Sequence, residues 1–397
     1  MRILHLFFKN PYPPVGGAEI VTYNTAKYLS KLGHHVTLLA PVEKEKRVPE
    51  LEKFCRWEPV EENTSTTVTG IVASLPRKNP YVISKYYTDK ILNRVEQILT
   101  EEEFDLAQIE TLYPAQYGLE IKGKTNIPVI LRQHNIESDL ARDFYLKEPN
   151  PLVKPYRYIR YKKIRRYEAE EIQAFDRSVM ITREDEKRLN RINPEASTSV
   201  VPAGVDTSYF TPEASEPEAN SLVFVGTMYW PPNVEGVLWF KNKILPLVKE
   251  RLPGVKLYIV GRNPTRKIKS LADSKVVVTG YVDDVRSYIA RGEVFIVPLK
   301  SGSGMRIKIL NAMAMGKPVI STSKGCEGIK VTDGRDIIIA DEPEKFAEGI
   351  IKLMQNEKTR IGIAKSGLNL IRNNYRWEKV TKELISEYRK VIATQKN

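Results

Sequence analysis

Short apolar runs alternate with stretches in which apolar residues recur at helical spacing, and the alternation persists along the whole chain. Residues 2–8, apolar except for Arg2 and His5, predict a strand. Over 19–32 the apolar positions return every three or four residues and Gly33 follows as a C-cap, which predicts a helix. Further strands fall at 35–40, 107–109, 128–132 and 178–181, with helices between them. The pattern then starts afresh, with strands at 221–225, 256–260, 276–278, 294–297, 318–322 and 337–339. Helices are predicted at 234–251, 305–315 and 343–355, and a final one at 377–393 has no strand after it. Strand–helix–strand order at this spacing predicts an α/β protein of parallel βαβ units. The proline- and glutamate-rich stretch 210–220 reads as a linker. The expected domains are 1–200 and 201–376, the final helix returning to pack on the first. Two such sheets facing across a cleft place the carboxyl ends of their strands on a shared crevice, where ligands of open α/β sheets bind.

Composition narrows the chemistry. A chain of 397 residues, 42% hydrophobic, is long enough for two buried cores. Two cysteines (Cys55, Cys326) and four histidines (His5, His34, His35, His134) make neither a disulfide framework nor a zinc-ligand spacing, and no metal or resident cofactor is expected. No apolar stretch reaches the ~20 residues of a membrane span, and the opening residues read as a strand rather than a signal peptide, so a cytoplasmic location is expected. Residues 1–200 carry 31 Lys and Arg against 28 Asp and Glu, or +3; the remainder carries 31 against 21, or +10. That asymmetry points to an anionic ligand in the second half or an anionic surface nearby. Nucleic acid is disfavoured, because no helix-turn-helix, zinc-finger or RNA-recognition signature is present.

Two strand-to-helix turns carry candidate chemistry. Gly16-Gly17-Ala18-Glu19 opens a helix, and adjacent glycines there let backbone N–H groups approach an anion; an ordinary flexible turn is the alternative. Gly302-Ser303-Gly304-Met305-Arg306-Ile307-Lys308 follows the strand 294–297 and opens another helix. Cations at a helix N-terminus oppose its dipole, so Arg306 and Lys308 there call for an anion, and a diphosphate fits. His134, at a strand end with Asn135 and Glu137 beside it, is a candidate for proton or hydrogen-bond work.

The run from Pro298 to Thr322 resembles the donor-binding signature of family 4 glycosyltransferases of the GT-B fold, which have two Rossmann-like domains. Val201–Asp206 (residues VPAGVD) is similar to the family's inter-domain hinge, Phe224-Val225-Gly226-Thr227-Met228 to the turn opening its second domain, and Gly16–Glu19 to its first-domain glycine loop. The resemblance implies a sugar transferase that uses a nucleotide-diphosphate sugar as co-substrate, needs no metal and mostly retains configuration. It implies that Gly16 and Gly17 approach the donor phosphates or the acceptor. His134 would face the donor sugar, and Gly304, Met305, Arg306, Ile307 and Lys308 would hold the diphosphate. Gly226 and Thr227 would line the donor site, Tyr281 would border the base, and Asn311 would lie near the ribose. Family members usually carry two glutamates at the positions of Ser303 and Asn311, and Thr227 stands where an arginine is usual. A binder that has lost catalysis, or a sugar-nucleotide epimerase, are the alternatives.

Residues 154–167 hold seven cations and four tyrosines without an acid. Such a segment could rest on an anionic membrane surface, which suits a lipid-linked acceptor and a peripheral location at the inner face. The plainer alternative is a solvated helix with its tyrosines turned inward and its arginines paired with Glu168, Glu170 and Glu171.

Overall fold

The computed structural model describes residues 1–44, 47–213 and 216–395. It divides into two units, Met1–Pro202 with Trp377–Asn397, and Ala203–Arg376. The stretch 210–220, expected as a linker between domains, lies inside the second unit; its residues 214 and 215 are outside the described ones.

The first unit carries a seven-stranded sheet in the order β3–β2–β1–β4–β5–β6–β7. The strands are β1 Arg2–Leu6, β2 His35–Val42, β3 Arg56–Glu61, β4 Leu106–Glu110, β5 Val129–Gln133, β6 Arg177–Met180 and β7 Thr198–Val200. All of these pairings are parallel. Strands β3 and β7 were not predicted. Both are edges: β3 reads Arg-Trp-Glu-Pro-Val-Glu and β7 Thr-Ser-Val, without the apolar run that marks a central parallel strand. Leu4, Leu6, Ala107, Ile109 and Leu131 point to one face and join a buried apolar core. On the other side the last helix, Trp377–Gln395, packs against the helix Gly17–Lys31, with the Trp377 and Tyr28 rings stacked at 6.4 Å.

The second unit holds a six-stranded parallel sheet ordered β10–β9–β8–β11–β12–β13. Here β8 is Ser221–Val225, β9 Lys256–Val260, β10 Val276–Gly280, β11 Val294–Val297, β12 Val319–Ser321 and β13 Ile338–Ile339. The single helix expected at 234–251 is broken into Pro231–Trp239, a π turn Phe240–Ile244 and Leu245–Arg251. Pro246 has no N–H to give the carbonyl four residues back, so the ladder widens just before it. The helix expected at 305–315 is shorter, Ile307–Ala314.

Both sheets are doubly wound. The chain builds outward from β1 to β3 and then returns to β4 on the other side of β1; it does the same from β8 to β10 and back to β11. The crevice outside the carboxyl ends at such a switch point is where these sheets take ligands.

Candidate functional site

In the second unit the switch point brings together the turn after β8 and the loop after β11. Gly302 (φ 100°) and Gly304 (φ 74°) both occupy the left-handed region, which only glycine adopts without strain. They coil the loop so that the helix Ile307–Ala314 begins at its end, with the first amides of that helix lacking a carbonyl one turn back. Arg306 is the N-cap residue. Its guanidinium donates to the carbonyls of Ser303 and Gly304, and to that of Ser301 at 3.4 Å, so it fastens the turn instead of standing out as an open fork. Ser301 Oγ donates to Glu235 at 2.7 Å and ties the loop to the helix Pro231–Trp239.

Lys308, the second residue of that helix, is half-buried. Its Nζ donates to Asn233 Oδ1 at 2.9 Å and lies 4.3 Å from the centroid of the Phe224 ring. A Cβ on Gly226 would stand 2.7 Å from that Nζ and 2.8 Å from Asn233 Nδ2, so glycine at 226 is what lets the lysine reach the strand end. Burial, and then the charge of Arg306, push the Lys308 ammonium down to about 7. The helix dipole opposes a cation at this position as well. The Thr227 carbonyl accepts from Asn233 Nδ2 at 3.0 Å, which fixes the same turn. Behind β9 lies Arg262, which the sequence reading missed; its Nε is buried with no partner among the described residues. Its position directly after Gly261, the residue that follows β9, is the signal that could have found it.

In the first unit the switch point holds a buried polar network. Period-two alternation puts Gln108 and Glu110 on the same side of β4, and Arg132 and His134 on the same side at the end of β5. Register sets His5 beside Gln108 and Glu110 beside Arg132. Glu110 is fully buried. Its Oε1 lies 2.5 Å from His134 Nε2, and its Oε2 lies 2.7 Å from His5 Nε2 and 2.5 Å from Gln108 Nε2. Arg132 Nε stands 4.0 Å from Oε1, and its Nη1 donates to Thr25 at 2.9 Å. From the last helix, the Tyr388 hydroxyl donates to Gln108 Oε1. Burial alone would raise the Glu110 carboxyl, but hydrogen bonds from His134 and His5 and the charge of Arg132 outweigh it and hold the group well below the usual carboxylate range. Sequence reasoning found His134 and missed Glu110, His5, Gln108 and Tyr388. The signal for Glu110 was a charged residue two positions after the polar Gln108 in a strand that is otherwise apolar; Tyr388, 280 residues from Gln108, left none.

Both units match known sequence families. Residues 15–209 match the family model described as Glycosyltransferase Family 4, and residues 219–356 the one described as Glycosyl transferases group 1. The chain is a family 4, group 1 glycosyltransferase. It is 25% identical over 395 residues to an uncharacterised 44.6 kDa protein of the cps region of Klebsiella pneumoniae, covering 95% of this chain and 97% of that one. It is also 25% identical over 209 residues to phosphatidyl-myo-inositol mannosyltransferase of Mycobacterium tuberculosis, covering 49% of this chain and 54% of that one. Among solved structures, sucrose-phosphate synthase from Thermosynechococcus elongatus aligns with a TM-score of 0.76 at 15% identity, over 99% of this chain and 100% of that one. Anabaena HepE in complex with UDP and glucose aligns with a TM-score of 0.69 at 14% identity, over 98% and 100%. The fold is GT-B.

The remaining expected residues of this glycosyltransferase are spread over both units. Ser303, Gly304 and Met305 lie in the glycine turn, Ile307 is the first helical residue, and Asn311 lies half-buried one turn further on. Tyr281, directly after β10, is 62% exposed and open to a partner on its face. Gly16 is the N-cap of the helix Gly17–Lys31, and the Glu19 carboxylate occupies the space where a Cβ on Gly16 would point. Glu19 pairs with Lys9 at 2.7 Å. A carboxylate already placed at that helix start disfavours a phosphate there and suits a neutral hydroxyl. The basic segment forms the helix Lys154–Glu170. Ile164 and Tyr167 turn inward, whereas Tyr158 and Ile159 are exposed. Arg166 pairs with Glu170, Arg157 pairs with Glu148, and Lys163 donates to the carbonyls of Ser74, Leu75 and Arg77 at the end of the helix Val68–Ser74. Leu152, two residues before the helix Lys154–Glu170, is 88% exposed, and Val68, the first residue of the other, 77%.

Proposed function

We propose that this glycosyltransferase takes its sugar from a nucleotide-diphosphate donor and transfers it to a hydroxyl of a sugar or lipid-linked acceptor, with retention of configuration. The observation that carries the donor assignment is Lys308, a half-buried ammonium pushed down to about 7 beside a second cation and a helix start. An arrangement that destabilises its own positive charge is relieved by an anion, and the diphosphate of a donor is anionic in both substrate and leaving group. Gly302, Gly304 and the amides of Ile307 and Lys308 cradle it, and Arg306 sets the turn. Their positive charge supports departure of the diphosphate without a metal ion. That HepE was solved with UDP and glucose supports the choice of ligand class. Arg306→Ala removes the charged hydrogen bonds that hold the carbonyls of Ser301, Ser303 and Gly304 in the turn, and should through that loosening weaken binding of a nucleotide sugar by about 1.5–3 kcal/mol; unchanged affinity in calorimetry would remove the diphosphate assignment.

Ser303 and Asn311 favour a second reading, because neither supplies the carboxylate that the family pattern has at these positions. A nucleotide-sugar binder without turnover would bind donor and release no sugar to any acceptor or to water.

For the acceptor side we propose that the first unit rests on an anionic lipid surface through the helices Val68–Ser74 and Lys154–Glu170. Exposed Val68, Val72, Leu152, Tyr158 and Ile159 beside exposed Lys154, Lys162 and Arg165 combine apolar insertion with attraction to acidic headgroups. Among the described residues no helix is long and apolar enough to cross a membrane. Replacing Lys154, Lys162 and Arg165 with glutamine should lower sedimentation with phosphatidylglycerol vesicles and leave donor affinity unchanged; undiminished sedimentation contradicts the surface.

A further inference from the structure

We infer that Lys85 and Arg160 form an anion site in the first unit that takes a phosphate carried by the acceptor, beside Tyr86 and Tyr113, whose rings receive the acceptor's sugar. The acceptor clause rests on the sugar transfer proposed above; the phosphate site stands on the geometry of this unit alone.

The cations of the helix Lys154–Glu170 have distinct tasks. Arg157 and Arg166 pair with Glu148 and Glu170, and Lys163 holds three carbonyls at the end of the helix Val68–Ser74. Lys154, Lys162 and Arg165 are exposed to solvent. Arg160 does none of these things: it is half-buried, and its Nε is buried with no partner among the described residues. Lys85 follows the short helix Tyr81–Ser84 and is half-buried as well. Its Nζ donates to the Thr66 hydroxyl at 3.2 Å and lies 4.5 Å from the centroid of the Tyr86 ring, both neutral groups. Burial pushes the Lys85 ammonium below the usual lysine range; the Tyr81 phenol partly offsets this, and the positive charge of Arg160 adds to it. The charge of Arg160 also reaches Glu137, but that carboxylate is engaged by the Tyr113 hydroxyl at 2.8 Å. Two partly desolvated cations that repel each other call for an anion with several acceptor oxygens, and a phosphate supplies it.

These two cations stand between the ligand-binding edge of the sheet and a helix with exposed apolar residues. On one side the half-buried rings of Tyr86 and Tyr113 lie 5.7 Å apart, and both abut Phe8, at 5.3 and 4.8 Å. Phe8 lies two residues past β1 and Tyr113 three past β4, the strands between which the chain reverses direction across the sheet. Aromatic rings with a few convergent polar groups are what a small-molecule site at such an edge offers. On the other side, Thr66 stands two residues before the helix Val68–Ser74 and its exposed Val68 and Val72. An acceptor with its sugar on the rings and its phosphate on the cations therefore sends any further substituent toward that helix.

Direct binding reads the site without turnover. Titrations followed by 31P NMR are made on the full chain carrying Lys308→Met, so that the turn of the second unit does not contribute. Inorganic phosphate and glucose 1-phosphate should both bind, and adding Lys85→Met or Arg160→Met should weaken each by about tenfold or more, the loss of a charge-assisted hydrogen bond. Lys85→Arg, which keeps the charge, should retain binding. Arg160→Met carries the comparison if Lys85→Met fails to fold, as judged by circular dichroism. Glucose 1-phosphate should bind more tightly than inorganic phosphate, and in Tyr86→Leu the two should bind alike; equal binding in both proteins would remove the role given to the rings. Farnesyl phosphate separates the sources of the phosphate: tighter binding than glucose 1-phosphate marks a lipid-linked acceptor, weaker binding a soluble sugar phosphate. Absence of phosphate binding in Lys308→Met, or affinities that neither Lys85→Met nor Arg160→Met changes, overturns the inference. A chain that binds phosphate through Lys85 and Arg160 and yet transfers no sugar from any donor would instead defeat the proposed function and leave the site standing.

Discussion

Glycine at 226 shows how one missing side chain shapes a site. It makes room for the Lys308 ammonium, and nothing larger fits without moving Nζ or the Asn233 amide. Both are the mobile ends of side chains, so Gly226→Ala should be tolerated by the fold. We expect a stability change within about 1 kcal/mol in urea unfolding, since the displaced atoms can rotate away. Donor affinity should nevertheless fall about tenfold, or ~1.4 kcal/mol, because the displaced lysine no longer meets the turn. The opposite pattern, an unfolded variant or a fully active one, would contradict the packing described for Lys308. At this scale the sequence was informative where charge conflicted with local structure. Arg306 and Lys308 stood out because cations are out of place at a helix start. What it did not reveal was that Arg306 bonds to its own loop, since that depends on the coil imposed by two left-handed glycines.

Elements were legible where the apolar pattern was strong, as in β1, β4, β5, β8 and β11, and they were missed where it was weak, as in β3 and β7. The break before Pro246 was legible in principle from the proline itself. A different kind of coupling joins the helices Glu137–Leu146 and Lys154–Glu170. Glu168, fully buried on the second, accepts the backbone N–H groups of Glu137 at 2.8 Å and Ser138 at 3.2 Å at the start of the first. Burial, with the negative charge of Glu137 adding to it, pushes Glu168 up to about 8 although these N–H groups pull the other way. A carboxyl raised in the folded state binds its proton more tightly there than in the unfolded chain, so its contribution is fully present below the ordinary glutamate range. It declines as pH rises through about 8. The melting temperature should therefore drop between pH 5 and pH 8.5 by more in the wild type than in Glu168→Gln, which keeps one of the two acceptor oxygens and never ionises. Parallel curves for the two proteins would show that Glu168 is ionised throughout.

On the scale of the whole molecule, repetition was the most readable feature. A strand–helix pattern that starts afresh near residue 221 gave two parallel sheets, and the doubly wound order of each located its ligand-binding edge. The buried network of the first unit was not legible, because it depends on strand order and on a helix from the far end of the chain. The linker was misplaced for a related reason: proline and glutamate mark irregular backbone, and the chain leaves the first unit at Pro202 before reaching that stretch.

Donor binding by the turn of the second unit is tested most directly by counting protons. Lys308, at about 7, is mostly neutral at pH 8, and an adjacent diphosphate would restore its charge. Nucleotide sugars bring no phosphate group that titrates in this range, so calorimetry in buffers of different ionisation enthalpy reports the protein alone. Across UDP-, GDP- and ADP-sugars, we expect the one that binds to take up close to one proton at pH 8, much less at pH 6, and none in Lys308→Met. Binding of a nucleotide sugar at pH 8 without proton uptake, or the same uptake in Lys308→Met, would contradict the assignment of this turn as the diphosphate site.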